Sequence, residues 1–177
     1  MAYNHVFRRF HCRPGDAMDW IFKYSFPQDE INEVIRSTGA LLIGRRSYDV
    51  GQSENAPSEA QKPFGGAWTG PQIILTHNPP NDTKDPIITF FTGDIREAVN
   101  KARKVARGKS VLIIGAFVAR QCIDVGLIDE ILVHIVPVLL GDGTPFFRRQ
   151  GNTITELERI KFTQFGKIVN LRFRVLK

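Results

Sequence analysis

The spacing of apolar residues changes along this 177-residue chain, and each change marks an element. From Gln28 to Thr38 the spacing is helical, with Ile31, Val34 and Ile35 on one face and Gly39 placed to close the helix. Ala40-Leu41-Leu42-Ile43 follows as a short continuous apolar run, the pattern of a buried strand, and it leads into Gly44. Residues 52–70 are rich in Gly, Pro, Ser and Ala and read as a long surface connection or flap. Gln72–Thr76 is the next strand, stopped by Asn78-Pro79-Pro80, and Pro86–Phe91 is another. Asp94 and Glu97 give a helix start signal close to a capping box. The apolar stripe behind it is Ile95, Ala98, Val99, Ala102, Val105 and Ala106, and Gly108 ends it.

The run Val111–Ile114 then meets Gly115, a helical stretch stops near Gly126, and a second apolar run covers Ile131–Leu140 before Gly141-Asp142-Gly143. This is strand, helix, strand. Pro137 marks either a bulge or the point where the strand leaves its ladder. Leu157–Phe165 and Ile168–Leu176 alternate around Gly166-Lys167 and predict a closing hairpin. The pattern predicts an α/β fold: a mixed, mostly parallel sheet with helices on both faces and a C-terminal antiparallel hairpin.

Composition narrows the classes. The length suits one domain, and the hydrophobic fraction of 42% with 24% charged residues is that of a soluble globular chain. No apolar run is long enough to span a bilayer, and Met1–Arg13 lacks the apolar core of a signal peptide, so a cytoplasmic protein with no membrane partner is expected. Cys12 and Cys122 form no C-x-x-C pair, Cys122 reads as a buried apolar thiol, and no metal site is expected from His5, His11 and Cys12. A net charge of +6 raises the question of nucleic acid, but the basic residues are spread along the chain without aromatic interleaving. A small polyanionic ligand fits such a surface better than nucleic acid does.

Candidate chemistry gathers at three strand ends, where open α/β sheets bind ligands. Gly44-Arg45-Arg46-Ser47 offers close backbone approach, two guanidiniums and a hydroxyl, which suit a phosphate; it equally suits a surface turn with two solvated arginines. Thr76-His77 follows a buried strand, and a plain turn before Pro79 explains it as well. Gly115-Ala116-Phe117-Val118 opens a helix whose N-terminal N–H groups suit a phosphate.

The segments LIGRRSYDVG, IILTHNP and VARQCIDVGLIDEILVHIVPVLLGDGTPFF resemble the dihydrofolate reductase-like fold, and more closely the bacterial family related to the reductase domain of riboflavin biosynthesis. The resemblance runs from about Asp16 to the C-terminus. It implies one domain over residues 1–177, with 1–15 atypical, and a homodimer. It also implies an NADPH-dependent reductase of a small pteridine- or pyrimidine-like heterocycle, similar to 5-amino-6-(5-phosphoribosylamino)uracil reductase. It places Gly44, Arg45, Arg46 and Ser47, with Thr76 and His77, around the adenosine phosphates, and Gly115, Ala116, Phe117 and Val118 at the pyrophosphate. Asp19 and Trp20, with Asp16, are the nearest groups to a substrate site, although Asp19 also suits a helix cap. No catalytic acid is named by this pattern.

Three departures shape the expectation. The family's Gly-Gly pair, sometimes joined by a cis peptide, is here Gly115-Ala116. The glutamate that riboflavin-pathway reductases carry just before it is here Ile114. The expected central N-terminal strand, with its S-L-D-G-like motif, is represented only by Asn4–Cys12 with Arg8-Arg9 in the middle, so that strand is expected to be missing or to take another path. The alternatives to a reductase are an inactive nucleotide-binding protein and, third, a nucleic-acid-binding or interaction protein.

Overall fold

The computed structural model describes residues 26–53, 61–81, 85–139 and 154–177, with Tyr24 and Pro145, and the backbone of residues 4–7. In chain order the elements are β1 (Asn4–Phe7), α1 (Gln28–Ser37), β2 (Thr38–Gly44), α2 (Arg45–Gly51), a 3-10 turn (Pro63–Gly66), β3 (Gln72–Leu75) and β4 (Ile88–Phe91). Then follow α3 (Ile95–Ala106), β5 (Ser110–Ile114), α4 (Ala116–Asp124), β6 (Glu130–Ile135), β7 (Leu157–Phe165) and β8 (Ile168–Val175). The sheet order is β4-β3-β2-β5-β1-β6-β8-β7. All pairings from β4 to β6 are parallel, and the β7–β8 hairpin adds antiparallel to β6. This is the expected mixed sheet with its closing hairpin.

Alternation along the buried strands splits the core into two layers. Ala40, Leu42, Ile73, Val111, Ile113 and Ile131 face α3 and α4. Leu41, Ile43, Ile74, Leu112 and Leu132 face Val34 of α1, with Tyr48, Phe64, Trp68 and Ile114 packed around them. Helix α3 keeps the expected stripe except for Val105, which is 37% exposed. Its capping box is complete: Asp94 Oδ1 accepts from the N–H groups of Arg96 (2.7 Å) and Glu97 (2.9 Å), while Glu97 Oε2 accepts from Asp94 N–H (3.3 Å). Among the described residues no helix is long and apolar enough to cross a membrane.

Three expectations are corrected and one open choice is decided. Asn4–Phe7 is the central strand, paired in parallel with β5 (Val6 opposite Ile113) and β6 (Phe7 opposite Leu132). The described strand is Asn4–Phe7, and Arg8-Arg9 lie outside the described residues. Helix α1 is not closed by Gly39: it ends at Ser37, Thr38 donates its hydroxyl to Val34 O (2.7 Å), and β2 begins at once. Gly39 is required for a close crossing instead, since a Cβ there would lie 2.3 Å from Ala106 O. The 52–70 connection is more than a surface loop. Phe64 and Trp68 pack on the α1-side core, and Trp68 Nε1 donates to Thr38 O (3.1 Å). Strand β6 ends at Ile135, two residues before Pro137, which settles the choice between bulge and exit.

Cys122 has no exposed surface, and burial pushes its thiol up to about 12. It is therefore expected to resist alkylation at pH 8 in the native protein and to react fully once urea unfolds the chain; peptide mapping after iodoacetamide treatment reads this directly.

An ionic network fastens α1 to the hairpin. Glu33 Oε2 accepts from Lys161 Nζ (2.9 Å), Glu33 Oε1 from Arg172 Nη1 (2.6 Å), and Glu130 Oε2 from Arg172 Nε (2.7 Å). The Lys161 ammonium, aided by Arg172 and opposed by partial desolvation, holds the Glu33 carboxyl below its ordinary value of 4.5. A depressed carboxyl contributes stability above its unfolded pKa and loses it as pH falls through the folded one. Glu33→Gln is therefore expected to cost under about 1 kcal/mol at pH 7, because the side chain is 43% exposed, and to flatten the stability loss below pH 4.5. Urea titrations across that range test it.

Candidate functional site

The connections out of β2 and β5 diverge. From β2 the chain goes through α2 to β3 on one side; from β5 it goes through α4 to β6 on the other. The carboxyl ends of these adjacent strands thus form a topological switch point, where open α/β sheets have their crevice. Ile43 and Ile114 are opposite each other in the ladder, so Gly44 and Gly115 are neighbours.

Both glycines cap helices, and both sit where side chains would intrude. A Cβ on Gly44 would lie 3.0 Å from Val118 Cγ2. One on Gly115 would lie 2.8 Å from Ser47 Oγ and 3.6 Å from Gly44 N. Gly115 also has φ +107°, which L side chains rarely adopt. The Gly115–Ala116 bond is trans. Neither helix has a side-chain cap at its N-terminus, and the first bond inside α4 is from Ala119 N–H to Gly115 O (2.9 Å). The N–H groups of Ala116, Phe117 and Val118 therefore have no acceptor within their helix. The Val118 side chain is core, 2% exposed, so only its backbone faces the crevice. Phe117 is 63% exposed, with the Arg120 guanidinium 5.0 Å above its ring.

The second strand end joins the same rim. Gly44 pairs with Leu75, which places Thr76 beside the start of α2. Arg45 spans the gap: its Nε donates to both Asp49 carboxylate oxygens (2.8 and 2.9 Å) and its Nη1 to Asn78 O (2.7 Å). Its guanidinium also lies 5.7 Å above Phe90. Arg45 is thus largely committed to holding the 76–78 turn, while Arg46 and His77 are exposed. Thr76 is buried and organises its own turn, its Oγ1 accepting from Asn78 N–H (3.1 Å). The structure therefore brings Gly44, Arg45, Ser47, Thr76 and Gly115 to one rim. Asp16, Asp19 and Trp20 lie outside the described residues.

Sequence reasoning missed two buried polar features, one on α1 and one on the β6–β8 pair. Glu30, in the first turn of α1, is only 8% exposed, and its buried Oε2 has no hydrogen-bond partner. On β6, His134 shares a hydrogen bond between its Nδ1 and Asn170 Oδ1, and the ring of Phe26 meets it edge to face at 5.3 Å. Asn170 is 1% exposed, and its Nδ2 donates to Thr163 Oγ1 (3.1 Å). An acid in the first turn of a helix is an ordinary solvated residue by sequence, so burial alone singles out Glu30. Among the described residues no group of three His, Cys, Asp or Glu side chains could hold a metal ion.

The family model for the RibD C-terminal domain matches residues 48–171. The chain belongs to this family. Among curated proteins it is 29% identical to the uncharacterized protein YyaP of Bacillus subtilis (strain 168), over 68% of this chain and 65% of that one. It is 26% identical to YwjB of the same organism, also uncharacterized, over 92% and 88%. Among solved structures it superposes on a Shewanella sp. PV-4 protein provisionally assigned to riboflavin biosynthesis, with TM-score 0.78, 16% identity and full coverage of both chains. Dihydrofolate reductase from Enterococcus faecalis, complexed with NADP(H), matches at TM-score 0.61 and 12% identity over 99% of this chain and 97% of that one. At these identities the structural matches establish a shared fold, the dihydrofolate reductase-like architecture.

Proposed function

We propose that this protein is an NADPH-dependent reductase that transfers a hydride to a small pteridine- or pyrimidine-like heterocycle, similar to 5-amino-6-(5-phosphoribosylamino)uracil reductase. One observation carries the reading. At the switch point two helices begin at neighbouring glycines, with no side-chain cap on either, and a Cβ on Gly115 would fill the space between them. Such a cradle of N–H groups fits a diphosphate. The complex of the Enterococcus dihydrofolate reductase with NADP(H) supports the choice of cofactor.

In this reading Gly44, Ser47 and the N–H groups of Ala116, Phe117 and Val118 hold the diphosphate. Arg46, His77 and the uncommitted part of Arg45 face the phosphate on the adenosine ribose, and Thr76 shapes the turn beneath it. When bound, the cofactor supplies the hydride from its dihydronicotinamide. The chain binds and orients that ring and keeps water from it.

Titrating NADPH and NADH while exciting Trp20 and Trp68 tests the cofactor. Preferential quenching by NADPH is expected, and no response to either would refute the reading. Loss of NADPH absorbance with aminopyrimidine or pteridine substrates tests the reaction. Ile114, where the riboflavin enzymes carry a glutamate, favours a second reading, a nucleotide-binding protein without turnover. Tight NADPH binding with every ring inert would establish that one.

We also propose that the protein is a homodimer. The edge strand β7 exposes Leu157 (41%), Ile160 (37%), Phe162 (55%) and Phe165 (46%), an apolar edge that a second copy would cover. Sedimentation at micromolar concentration giving a 20.0 kDa species would refute it.

A further inference from the structure

The basic residues of α3 divide between two flanks of the helix. Arg96 and Arg103 lie on the flank that meets the α4–β6 connection: Arg96 Nη2 donates to Val125 O (3.4 Å), and Arg103 Nη2 lies 3.7 Å from Asp129 Oδ2. Glu97, Asn100, Lys101 and Lys104 follow one another at i, i+3, i+4 and i+7, so they form a separate ridge about 10 Å long. With Phe91 and Thr92, at the carboxyl end of β4, this ridge borders an open cavity of about 540 Å³. That is the size of a small-molecule site. β4 is an end strand of the sheet. Phe91 pairs with Leu75 and Leu75 with Gly44, which puts the cavity two strands, about 10 Å, from the start of α2. It is therefore distinct from the cradle between α2 and α4.

Two cations in this cavity are uncompensated. Glu97 precedes Lys101 by four residues, the favourable order for a helical ion pair. Yet Glu97 Oε2 turns back to Asp94 N–H (3.3 Å), and Lys101 Nζ stands over the Phe91 ring, 5.5 Å from its centroid. Among the described residues, neither Lys101 nor Lys104 makes a hydrogen bond or an ion pair. Lys101 is also partly buried, and an ammonium partly withdrawn from water attracts an anion more strongly than a fully solvated one. The Thr92 hydroxyl and the Asn100 amide add neutral donors. Two ammoniums one turn apart beside an aromatic wall suit a flat ring that carries a single anionic group.

We propose that this cavity is a second ligand site, for a small planar aromatic anion such as an aryl carboxylate. Lys101 and Lys104 hold the anionic group, Phe91 packs against the ring, and Thr92 and Asn100 donate to the remaining lone pairs. The site stands apart from the cofactor cleft and does not depend on the reductase reading.

The test uses the full chain, with and without saturating NADPH, and three probes titrated by calorimetry: 1-naphthoate, its neutral isostere 1-naphthamide, and inorganic phosphate. The wild type is expected to bind naphthoate at least about tenfold more tightly than either of the others, and NADPH should change that affinity less than about twofold. The double variant Lys101→Gln/Lys104→Gln should lose at least about tenfold in naphthoate affinity with an unchanged melting temperature, while Lys101→Arg/Lys104→Arg keeps most of it. Phe91→Leu should also weaken naphthoate. Lys167→Gln, exposed at the hairpin turn on the far side of the sheet, should bind it like the wild type. A Gln double variant that binds naphthoate like the wild type overturns the proposal. So does an equal loss in Lys167→Gln, which would mark attraction to a generally basic surface. Naphthamide or phosphate binding as tightly as naphthoate overturns it as well, as does displacement of naphthoate by NADPH or a wild type that binds no probe. Polyglutamate that displaces naphthoate at a lower carboxylate concentration would mark a groove for an acidic peptide, and this too would overturn it.

Discussion

Replacing Gly115 with alanine is expected to cost about 1–3 kcal/mol of stability and to weaken NADPH binding by at least about tenfold. The stability loss comes from the backbone. Gly115 has φ +107°, and holding an L residue there strains the turn between β5 and α4. The affinity loss comes from the new methyl group. Its carbon would lie 2.8 Å from Ser47 Oγ, in the space between the starts of α2 and α4. The serine can rotate aside, so the clash itself costs little, but the hydroxyl then leaves the cradle and the methyl stands where the diphosphate would approach. Gly108→Ala is the matched control. Gly108 has φ +83° with open space around its Cβ position, and it lies at the opposite end of β5. It should lose similar stability and no affinity. Thermal melts and fluorescence titrations of both variants decide the matter; equal NADPH affinity in the two would remove Gly115 from the cofactor site.

That contrast shows what the sequence could and could not disclose. Strands β2, β3 and β5 are legible because strands covered on both faces must be continuous apolar runs. The capping box of α3 and the hairpin turn at Gly166, with φ +55°, are legible because local chemistry dictates them. Gly39 was misread because its role is long-range. It looks like a helix stop, yet it is there because the backbone of Ala106, 67 positions away in the chain, passes too close for a Cβ. The N-terminal strand was missed for a different reason. Its place is set by its ladder partners β5 and β6, more than a hundred positions away in the chain, and a local apolar pattern does not show them.

The site follows the same division. The glycines and arginines at the strand ends are visible as residue types, and their convergence follows once the strand order is known. The partners of Arg45 are only half visible. Asp49 lies one turn along α2, but Asn78 O comes within reach only because β2 and β3 pair. Glu30 and His134 are invisible in the sequence, since nothing in the spacing of α1 or β6 shows that one carboxylate oxygen is buried or that Asn170 orients the imidazole.

The division of labour between the two arginines gives the second large expected effect. Arg46→Ala should weaken NADPH by roughly 10- to 100-fold, the size of about 1.5–3 kcal/mol for hydrogen bonds to a charged group, and leave NADH unchanged. Arg46 is exposed at the second position of α2, and a thermal melt of the variant separates any loss of stability from the loss of affinity. The effect should shrink as salt rises, because an exposed ion pair with phosphate is screened. Arg45→Ala should behave differently. It removes the clip from Asp49 to Asn78 O, so the 76–78 turn loses its anchor and both cofactors should bind more weakly. Its loss should also persist at high salt, since part of it is geometry rather than charge. Parallel NADPH and NADH titrations of the two single variants at low and high salt separate these cases. If Arg46→Ala weakened NADH as much as NADPH, the 2′-phosphate would not lie against α2, and the adenosine end of the site would have to be sought on another strand end.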